Sequence, residues 1–458
     1  MPFTATDHRH MARALALAER GLFTTQPNPR VGCVIAHGDA VVGEGWHRRA
    51  GGPHAEVVAL RAAGERTRGA TVYVTLEPCG LHGRTPPCAN ALIAAGVARV
   101  VIAAEDTSQA EGAGLARLRA AGIAIETGLL REPARELNVG FFRRIENGRP
   151  FVRVKLAMSL DGRTALANGA SQWITGEAAR ADGQRWRARS SAILTGSGTV
   201  LADNPRLTVR LPIACAAPGF AGGAGRSEAA AALISSKPPF TQPSPPGALG
   251  GEGLQTVDPG SAAAVEEVQD AAHLGSPSIS AAVENDRNAA RPGSLSPGSA
   301  GGEGWGEGEA FAPLRVVLDR RLRTPAGSHV LDGSAPTLIL HGAGVEADDD
   351  RFARVECFAV PVRDGRLDLA AVLALLAARQ VNEVHVEAGP VLGGALLAAG
   401  LVDELLLYVA PVLLGDQARP LLQLPSLGEM AERWQLRTID QRMVGTDWRL
   451  RLVPDRRG

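Results

Sequence analysis

The chain has 458 residues, enough for two or three domains, and its 48 Lys and Arg balance its 48 Asp and Glu. That balance, with aromatic residues at only 4%, argues against a nucleic-acid surface or a membrane-seeking face. Five cysteines, Cys33, Cys79, Cys88, Cys215 and Cys357, are too sparse and odd in number for a disulfide framework; with no N-terminal apolar h-region and no bilayer-length apolar run, the expectation is a soluble cytoplasmic protein.

Residues 7–20 carry Met11, Ala14, Leu15 and Ala18 at helical spacing, with Asp7 as candidate N-cap and Gly21 as the stop. Gln26-Pro27-Asn28-Pro29 reads as a rigid turn before a buried strand over 31–36, and 41–47 as its hairpin partner. Asn28 and His47 thus fall at strand ends, where substrate-binding groups often sit; a turn former and a surface histidine are the plainer readings. His54 opens a helix, Thr71–Leu76 alternates as a strand, Pro78-Cys79 begins a helical segment and Cys88 starts another. A strand over 100–102 and a helix over 114–121 complete an α/β layered domain.

His54, Cys79 and Cys88 are three ligands of the kind Zn²⁺ takes in a catalytic site, leaving the fourth tetrahedral position open. Glu56, two residues after His54, is close enough to act on water there without being a ligand. The pattern H-x-E…P-C…C is the signature of zinc-dependent deaminases, in which the glutamate shuttles protons. The gap from Cys79 to Cys88 is longer than in that signature and holds His82 and Arg84, a cation able to take a phosphate. Taken singly, each His or Cys reads as a packing group; a zinc-stabilised binding protein without turnover, a nucleic-acid or nucleoside deaminase, and a deaminase carrying an inactive second domain are the rival readings.

From Phe151 the pattern restarts, with a strand over 151–157, a helix capped by Thr175 and running to about Arg189, and a strand over 192–195 that enters Gly196-Ser197-Gly198-Thr199. Val384-His385-Val386-Glu387 is a strand leading into Ala388-Gly389-Pro390-Val391-Leu392-Gly393-Gly394, with a helix from about Ala395. Such strand–Gly-rich loop–helix junctions suit a phosphate, although neither a Rossmann nor a Walker A motif is present; a tight turn is the plainer reading. Glu387, at a strand's C-terminal edge, points into the crevice of an α/β sheet. Between Arg210 and Pro313 the sequence is rich in Gly, Ala, Ser and Pro and lacks periodicity, which predicts a disordered, low-complexity insertion of roughly 100 residues, about 213–311, with Cys215 at its edge and a strand again at 314–319.

The motifs NPRVGCVIA, PHAEVVAL and TLEPCGLHGRTPPC, then SLDGRTA, SQWIT, LTGSGTVLADNPRLTVR, VEAGPVLGGALLAAGLVDEL and APVLLG, resemble those of the bifunctional riboflavin-biosynthesis deaminase–reductases, over nearly everything outside the insertion. The resemblance implies an α/β protein with a cytidine-deaminase-like three-layer domain over 1–147 and a dihydrofolate-reductase-like α/β domain over 148–458. It implies hydrolytic deamination of a phosphorylated diaminopyrimidinone ribosylamine, then NADPH-dependent reduction of the ribosyl chain to ribityl, and a homo-oligomer joined through the reductase domain. His54, Cys79 and Cys88 match the family's zinc ligands and Glu56 its proton shuttle. Asn28, His47 and Arg84 match substrate positions of the deaminase; Lys155, Ser171, Arg187, Leu207, Arg210 and Glu387 match those of the reductase. Ala157, Trp173, Thr199, Asp203 and the loop Gly389, Pro390, Val391, Leu392, Gly393, Gly394 and Ala395 match cofactor positions. Read without the family, Arg187 and Arg210 are solvated surface arginines, Trp173 is core, and Asp161 and Asp203 brace turns. The chain departs from the family at Gly80, at Asp106-Thr107-Ser108-Gln109 and at Arg320.

Overall fold

The first helix, α1 (Ala5–Glu19), begins where Thr4 and Asp7 cap one another: the Asp7 amide donates to the Thr4 hydroxyl and the Thr4 amide to the Asp7 carboxylate. Thr4, three residues before the expected Asp7, is therefore the N-cap. This computed structural model describes residues 3–80, 87–108, 113–210, 312–347 and 349–455. All of these fall within one compact unit. The expected low-complexity insertion, with Cys215, and the expected substrate residue Arg84 lie outside the described residues.

After α1 come β1 (Gly32–His37), β2 (Ala40–Trp46), α2 (Ala55–Ala63), β3 (Thr71–Leu76), α3 (Cys88–Ala94), β4 (Arg99–Ala104), α4 (Ala113–Ala120), β5 (Ala124–Thr127), α5 (Arg131–Leu137) and α6 (Val139–Asn147). The strands form a sheet of order β2-β1-β3-β4-β5, with β1 antiparallel to both neighbours and β3, β4 and β5 parallel. Alternation along β1 divides the core. Cys33 and Ile35 pack with Ala59, Leu92 and Leu118 on one face, and Val34 and Ala36 pack with Met11, Ala14 and Phe141 on the other. The result is helices on both faces of one sheet.

The placement of α2 follows from small residues. Ala55, Ala59 and Ala63 recur every fourth position and face Gly43 and Gly45 of β2. A Cβ on Gly45 would lie 2.5 Å from the Ala55 carbonyl oxygen, and one on Gly43 would lie 2.4 Å from that of Ala59. Only glycine lets the helix backbone come so close, and α2 carries His54 at its N-cap and Glu56 in its first turn.

The second half contains β6 (Phe151–Ser159), β7 (Arg163–Ala165), α7 (Glu177–Arg189), β8 (Ala192–Gly196), α8 (Ser197–Asp203), β9 (Leu314–Leu318), β10 (Thr337–Gly342), β11 (Glu356–Val360), β12 (Val362–Arg363), β13 (Arg366–Leu367), α9 (Leu369–Ala378), β14 (Glu383–Val386), α10 (Pro390–Ala398), β15 (Glu404–Ala410), β16 (Arg419–Pro420), β17 (Leu436–Val444) and β18 (Asp447–Pro454). Nine strands form one sheet, β11-β10-β9-β8-β14-β6-β15-β18-β17, parallel from β11 to β15 and antiparallel thereafter. Central strands β6, β8 and β14 turn Val152, Val154, Leu156, Ala192, Leu194, Val384 and Val386 into one apolar core, while Arg153, Glu383 and His385, at the alternate positions of β6 and β14, are buried as well. Strands β8 and β9 are parallel neighbours, so the chain that leaves after α8 returns beside the strand it left.

Three expectations change. Cys79 lies outside any helix, and the next helix among the described residues starts at Cys88, with Pro87 as its N-cap. Gly176, not Thr175, is the N-cap of α7; its amide is held by the Asp447 carboxylate at 2.8 Å. Helix α10 begins at Pro390 rather than Ala395, with proline in the first turn, where a missing N–H costs nothing. The α/β class and the sequence of two sheets agree with expectation.

Candidate metal centre and reductase cleft

Three elements bring the candidate ligands together: the N-cap of α2 (His54), the segment after β3 (Cys79) and the start of α3 (Cys88). His54 Nδ1 is 3.2 Å from Cys88 Sγ and 3.6 Å from Cys79 Sγ, and the three ligand atoms lie within 4.8 Å of one another. The Cys88 amide donates to Cys79 Sγ at 3.2 Å, so that sulfur faces the amide end of α3. Hydrogen bonding from Cys88 and His54 holds the Cys79 thiol down at about 4, while the same pairing and burial push Cys88 up. Both thiols would give up their protons on binding a divalent ion. His54 is raised by its bond to Cys79. Two thiolates, one imidazole and a free corner fit zinc.

Glu56 is 3% exposed and contacts the Cys88 thiol. Burial raises its carboxyl to about 6. Glu77, the other carboxylate of the motif, is not a ligand; it accepts from the amides of Asp106 and Leu115 and so ties the cysteine segment to the turn at 105–108. Gly80, where the family often has serine, has no room for a side chain: a Cβ would lie 2.3 Å from the Gly114 amide nitrogen.

Asn28 Nδ2 is 3.0 Å from His47 Nε2, and His47 Nδ1 is 3.0 Å from the Pro53 carbonyl oxygen. The His47 ring stands edge-on to that of His54, their centroids 5.5 Å apart. His47 is 3% exposed, which removes the reading as a surface residue, and burial lowers its pKa.

A cleft of about 1350 Å³ opens at the C-terminal ends of β6, β8 and β14. Lys155, Ala157, Ser171, Trp173, Arg187, Thr199, Asp203, Leu207, Arg210 and Glu387 line it, as do Gly389, Pro390, Val391, Leu392 and Ala395. Gly393 and Gly394 do not: they are buried in α10 against Leu422 and Gln423. Trp173 is 68% exposed at the cleft, with the Arg180 guanidinium 4.7 Å above its ring, so it is not core. Leu207 buries its side chain while its backbone adopts φ +50°, a left-handed conformation uncommon for leucine.

Arg187 is not a free fork. It pairs with Glu387 through both carboxylate oxygens, at 2.5 and 2.6 Å, and donates to the Thr208 carbonyl. Burial opposes ionisation of Glu387, but Arg187 overrides it and holds the carboxyl well below the usual range. Burial lowers Lys155, with the Glu387 charge opposing that shift. Arg210 stays exposed at the rim. Sequence reasoning missed Arg323, which lines the cleft and donates to the Ser197 hydroxyl at 3.1 Å; no periodicity or motif marked it. Arg320 also lines the cleft.

Known proteins share this arrangement. Residues 4–104 match the cytidine and deoxycytidylate deaminase zinc-binding region, and residues 150–228 and 280–448 match the RibD C-terminal domain. The riboflavin biosynthesis protein RibD of Escherichia coli is 41% identical over 449 residues, 98% of this chain and 99% of that protein; its namesake from Haemophilus influenzae is 38% identical over 99% of each. Among solved structures, Acinetobacter baumannii RibD superposes with a TM-score of 0.73 at 35% identity, covering 98% of this chain and 99% of that one. A Thermotoga maritima diaminohydroxyphosphoribosylaminopyrimidine deaminase/5-amino-6-(5-phosphoribosylamino)uracil reductase gives 0.70 at 25% identity, over 98% and 99%. With a zinc-type deaminase site in its first half and a RibD-type reductase cleft in its second, the chain belongs to the RibD family of bifunctional deaminase–reductases of riboflavin biosynthesis.

Proposed function

We propose that the first half, residues 1–147, hydrolyses the 2-amino group from 2,5-diamino-6-(5-phosphoribosylamino)pyrimidin-4-one, and that the second, residues 148–458, reduces the ribosyl chain of the product to ribityl with NADPH. The observation that carries this reading is the convergence of His54, Cys79 and Cys88 beside the buried Glu56. Zinc bound by these three side chains supplies the Lewis acidity that brings a water within reach of deprotonation at neutral pH. Glu56 takes a proton from the attacking water onto a carboxylate oxygen as the water oxygen adds to the amidine carbon. It then returns that proton to the leaving amino group, so that one water enters and one ammonia leaves. A carboxyl held near 6 can both accept and release a proton at neutral pH. Asn28 and His47 present polar edges to the pyrimidine, and Arg84 is proposed as the phosphate's partner.

The cleft residues would hold NADPH, which would supply the hydride for C1′ of the ring-opened ribosylamine, while the imine nitrogen takes a proton from water. Ala157, Trp173, Thr199, Asp203 and Gly389–Ala395 are proposed to seat the cofactor, with Gly393 and Gly394 serving by letting α10 pack closely. Lys155, Ser171, Leu207, Arg210 and the Arg187–Glu387 pair are proposed to hold the substrate. Incubation with the pyrimidine, with and without NADPH, tests the order by product mass. Deaminated aminouracil should accumulate without NADPH and the ribityl product appear only with it; reduction of the undeaminated pyrimidine would overturn the sequence.

Two further readings belong here. Leu436, Ile439, Met443 and Trp448 are exposed apolar residues on the edge strand β17 and its neighbour β18, which supports a homo-oligomer joined through the reductase half. Among the described residues no helix is long and apolar enough to cross a membrane, and Cys33, Cys79, Cys88 and Cys357 are unpaired, which supports the cytoplasm as the place of action.

A further inference from the structure

The loop that carries Asn28 is held from outside its own half. Gln26 Oε1 accepts from Asn382 Nδ2 at 3.0 Å and from the Ser191 hydroxyl at 2.9 Å, and Gln26 Nε2 donates to the Arg189 carbonyl at 3.3 Å. The Pro27 carbonyl, one residue before Asn28, accepts from Asn382 Nδ2 at 2.6 Å. Two residues after Asn28, Arg30 pairs with Glu383 at 2.9 Å and donates to the Arg189 carbonyl at 3.0 Å. Asn28 is thus bracketed by two anchors, each gripping the reductase half. Its own half adds the bond from the Asn28 amide to the Thr25 carbonyl, and Asn138, which accepts from the Arg30 amide.

Asn382 is built for this task. Its Oδ1 accepts from Arg144 Nε at 2.7 Å, and arginine can only donate, so Nδ2 must face the two loop acceptors. Its own backbone is pinned at both ends: the amide is bonded to the Ser191 hydroxyl and the carbonyl accepts from the Phe151 amide at 2.8 Å. Asn382 is 2% exposed and Gln26 3%, so the bond between their side chains is shut off from water. Asn382 also stands apart from the reductase cleft. It precedes β14, whereas Glu387 follows it, at roughly 16 Å for a rise of about 3.3 Å per residue.

We propose that Asn382 is a positioning residue for deamination: from the reductase half it sets the loop at Gln26-Pro27 and thereby the amide of Asn28 against His47. This rests on the deaminase reading of the first site. A displacement of about 1 Å at a substrate-contacting group costs up to about a hundredfold in rate, so a loop with a lost anchor registers in substrate binding before it registers in folding.

The test is Asn382→Asp, which keeps the acceptor for Arg144 and sets an oxygen against the two loop carbonyl groups. Deamination is followed by ammonia release, reduction by NADPH oxidation on the deaminated intermediate, and zinc by metal analysis. The expected result is a rise of about tenfold in KM for the diaminopyrimidine, with zinc content unchanged and reductase parameters within about twofold of wild type. In the cycle with Asn28→Ala, the double variant should be no worse than Asn28→Ala alone, because the two changes act through one group. An unchanged KM with an active wild type, or additive losses in the cycle, overturns the proposal. Wild-type protein that releases no ammonia overturns the deaminase reading and this inference with it. Should Asn382→Asp fail to fold, Gln26→Met, which removes the loop's side-chain partners and leaves Pro27 bonded, is expected to show the same split in milder form; a Gln26→Met enzyme with wild-type KM also overturns it.

Discussion

Arg30 and Glu383 stand 353 positions apart and form an ion pair at 2.9 Å with both side chains buried. Glu383 also meets Arg153 at 3.1 Å and Arg189 at 3.0 Å, and Arg153 continues to Glu404, which Arg451 shares. The N-terminal end of the central strand β14 thus meets a loop of the first half through charges excluded from water. Removing Arg30 breaks one buried pair and strips the Leu137 and Arg189 carbonyls of a donor. Arg30→Ala is expected to cost about 3–5 kcal/mol in denaturant unfolding. An exposed control, Arg131→Ala, should cost less than about 0.5 kcal/mol. Equal losses in the two variants would remove the network from the list of stabilising features.

The same network sets an acid limit. Burial opposes ionisation of Glu404, but Arg153 and Arg451 hold its carboxyl at about 2, below the ordinary 4.5. Glu383 is likewise depressed, by Arg189, Arg30 and Arg153 against its burial. A carboxylate whose pKa is lower folded than unfolded stabilises fully above the unfolded value and loses that contribution as pH falls through the folded one. The melting temperature should therefore drop as pH goes from about 4.5 toward 2. Glu404→Gln, measured over that range, should show a lower melting temperature at neutral pH and a flatter slope in acid; a slope parallel to wild type would contradict it.

Glu56→Ala should bind one zinc per chain and melt near the wild-type temperature, since its carboxyl is not among the three ligands. Ammonia release should fall by about 10²–10⁴-fold, the usual worth of a general acid–base group. NADPH oxidation on the deaminated intermediate should be unaffected. Turnover at a tenth of wild type or better would remove Glu56 from the proton-transfer role.

Gly45→Ala probes how the metal helix is seated. The added methyl meets the Ala55 carbonyl oxygen at 2.5 Å, one residue past His54, so α2 must shift. Zinc occupancy and deamination should both decline while reductase turnover persists. Full zinc loading with wild-type ammonia release would show that the close contact between β2 and α2 is dispensable.

Glu387→Gln tests the second site. Losing the carboxylate releases the Arg187 fork and leaves a buried cation without its partner. Reduction should fall by about a hundredfold or more, with deamination intact. Reductase kinetics near wild type would place Glu387 outside substrate handling.

The candidate metal cluster was legible because its residues are local in sequence: His54, Glu56, Cys79 and Cys88 lie within one helix start, one post-strand segment and another helix start. Strand β1, strand β3 and the helix at α2 were legible for the same reason, since periodicity is a property of neighbours. The segment at Pro78-Cys79 misled because a proline that would suit a helix's first turn stands here in a non-helical stretch. Trp173 misled because bulk and apolarity suggest burial, whereas its ring lies open at a cleft.

Residue order alone therefore determined the ligand set, the alternation of strands and helices, and the family motifs, all of which rest on contacts between near neighbours or on fixed residue types. Tertiary structure decided which charges meet. Arg187 looks like a solvated arginine until β14 brings Glu387 to it, and Gln26, Asn382 and Glu383 look like ordinary polar residues until two sheets abut. Burial in a shared interface is what turns such side chains into specific partners, and burial depends on how distant segments pack rather than on what stands beside them in the chain.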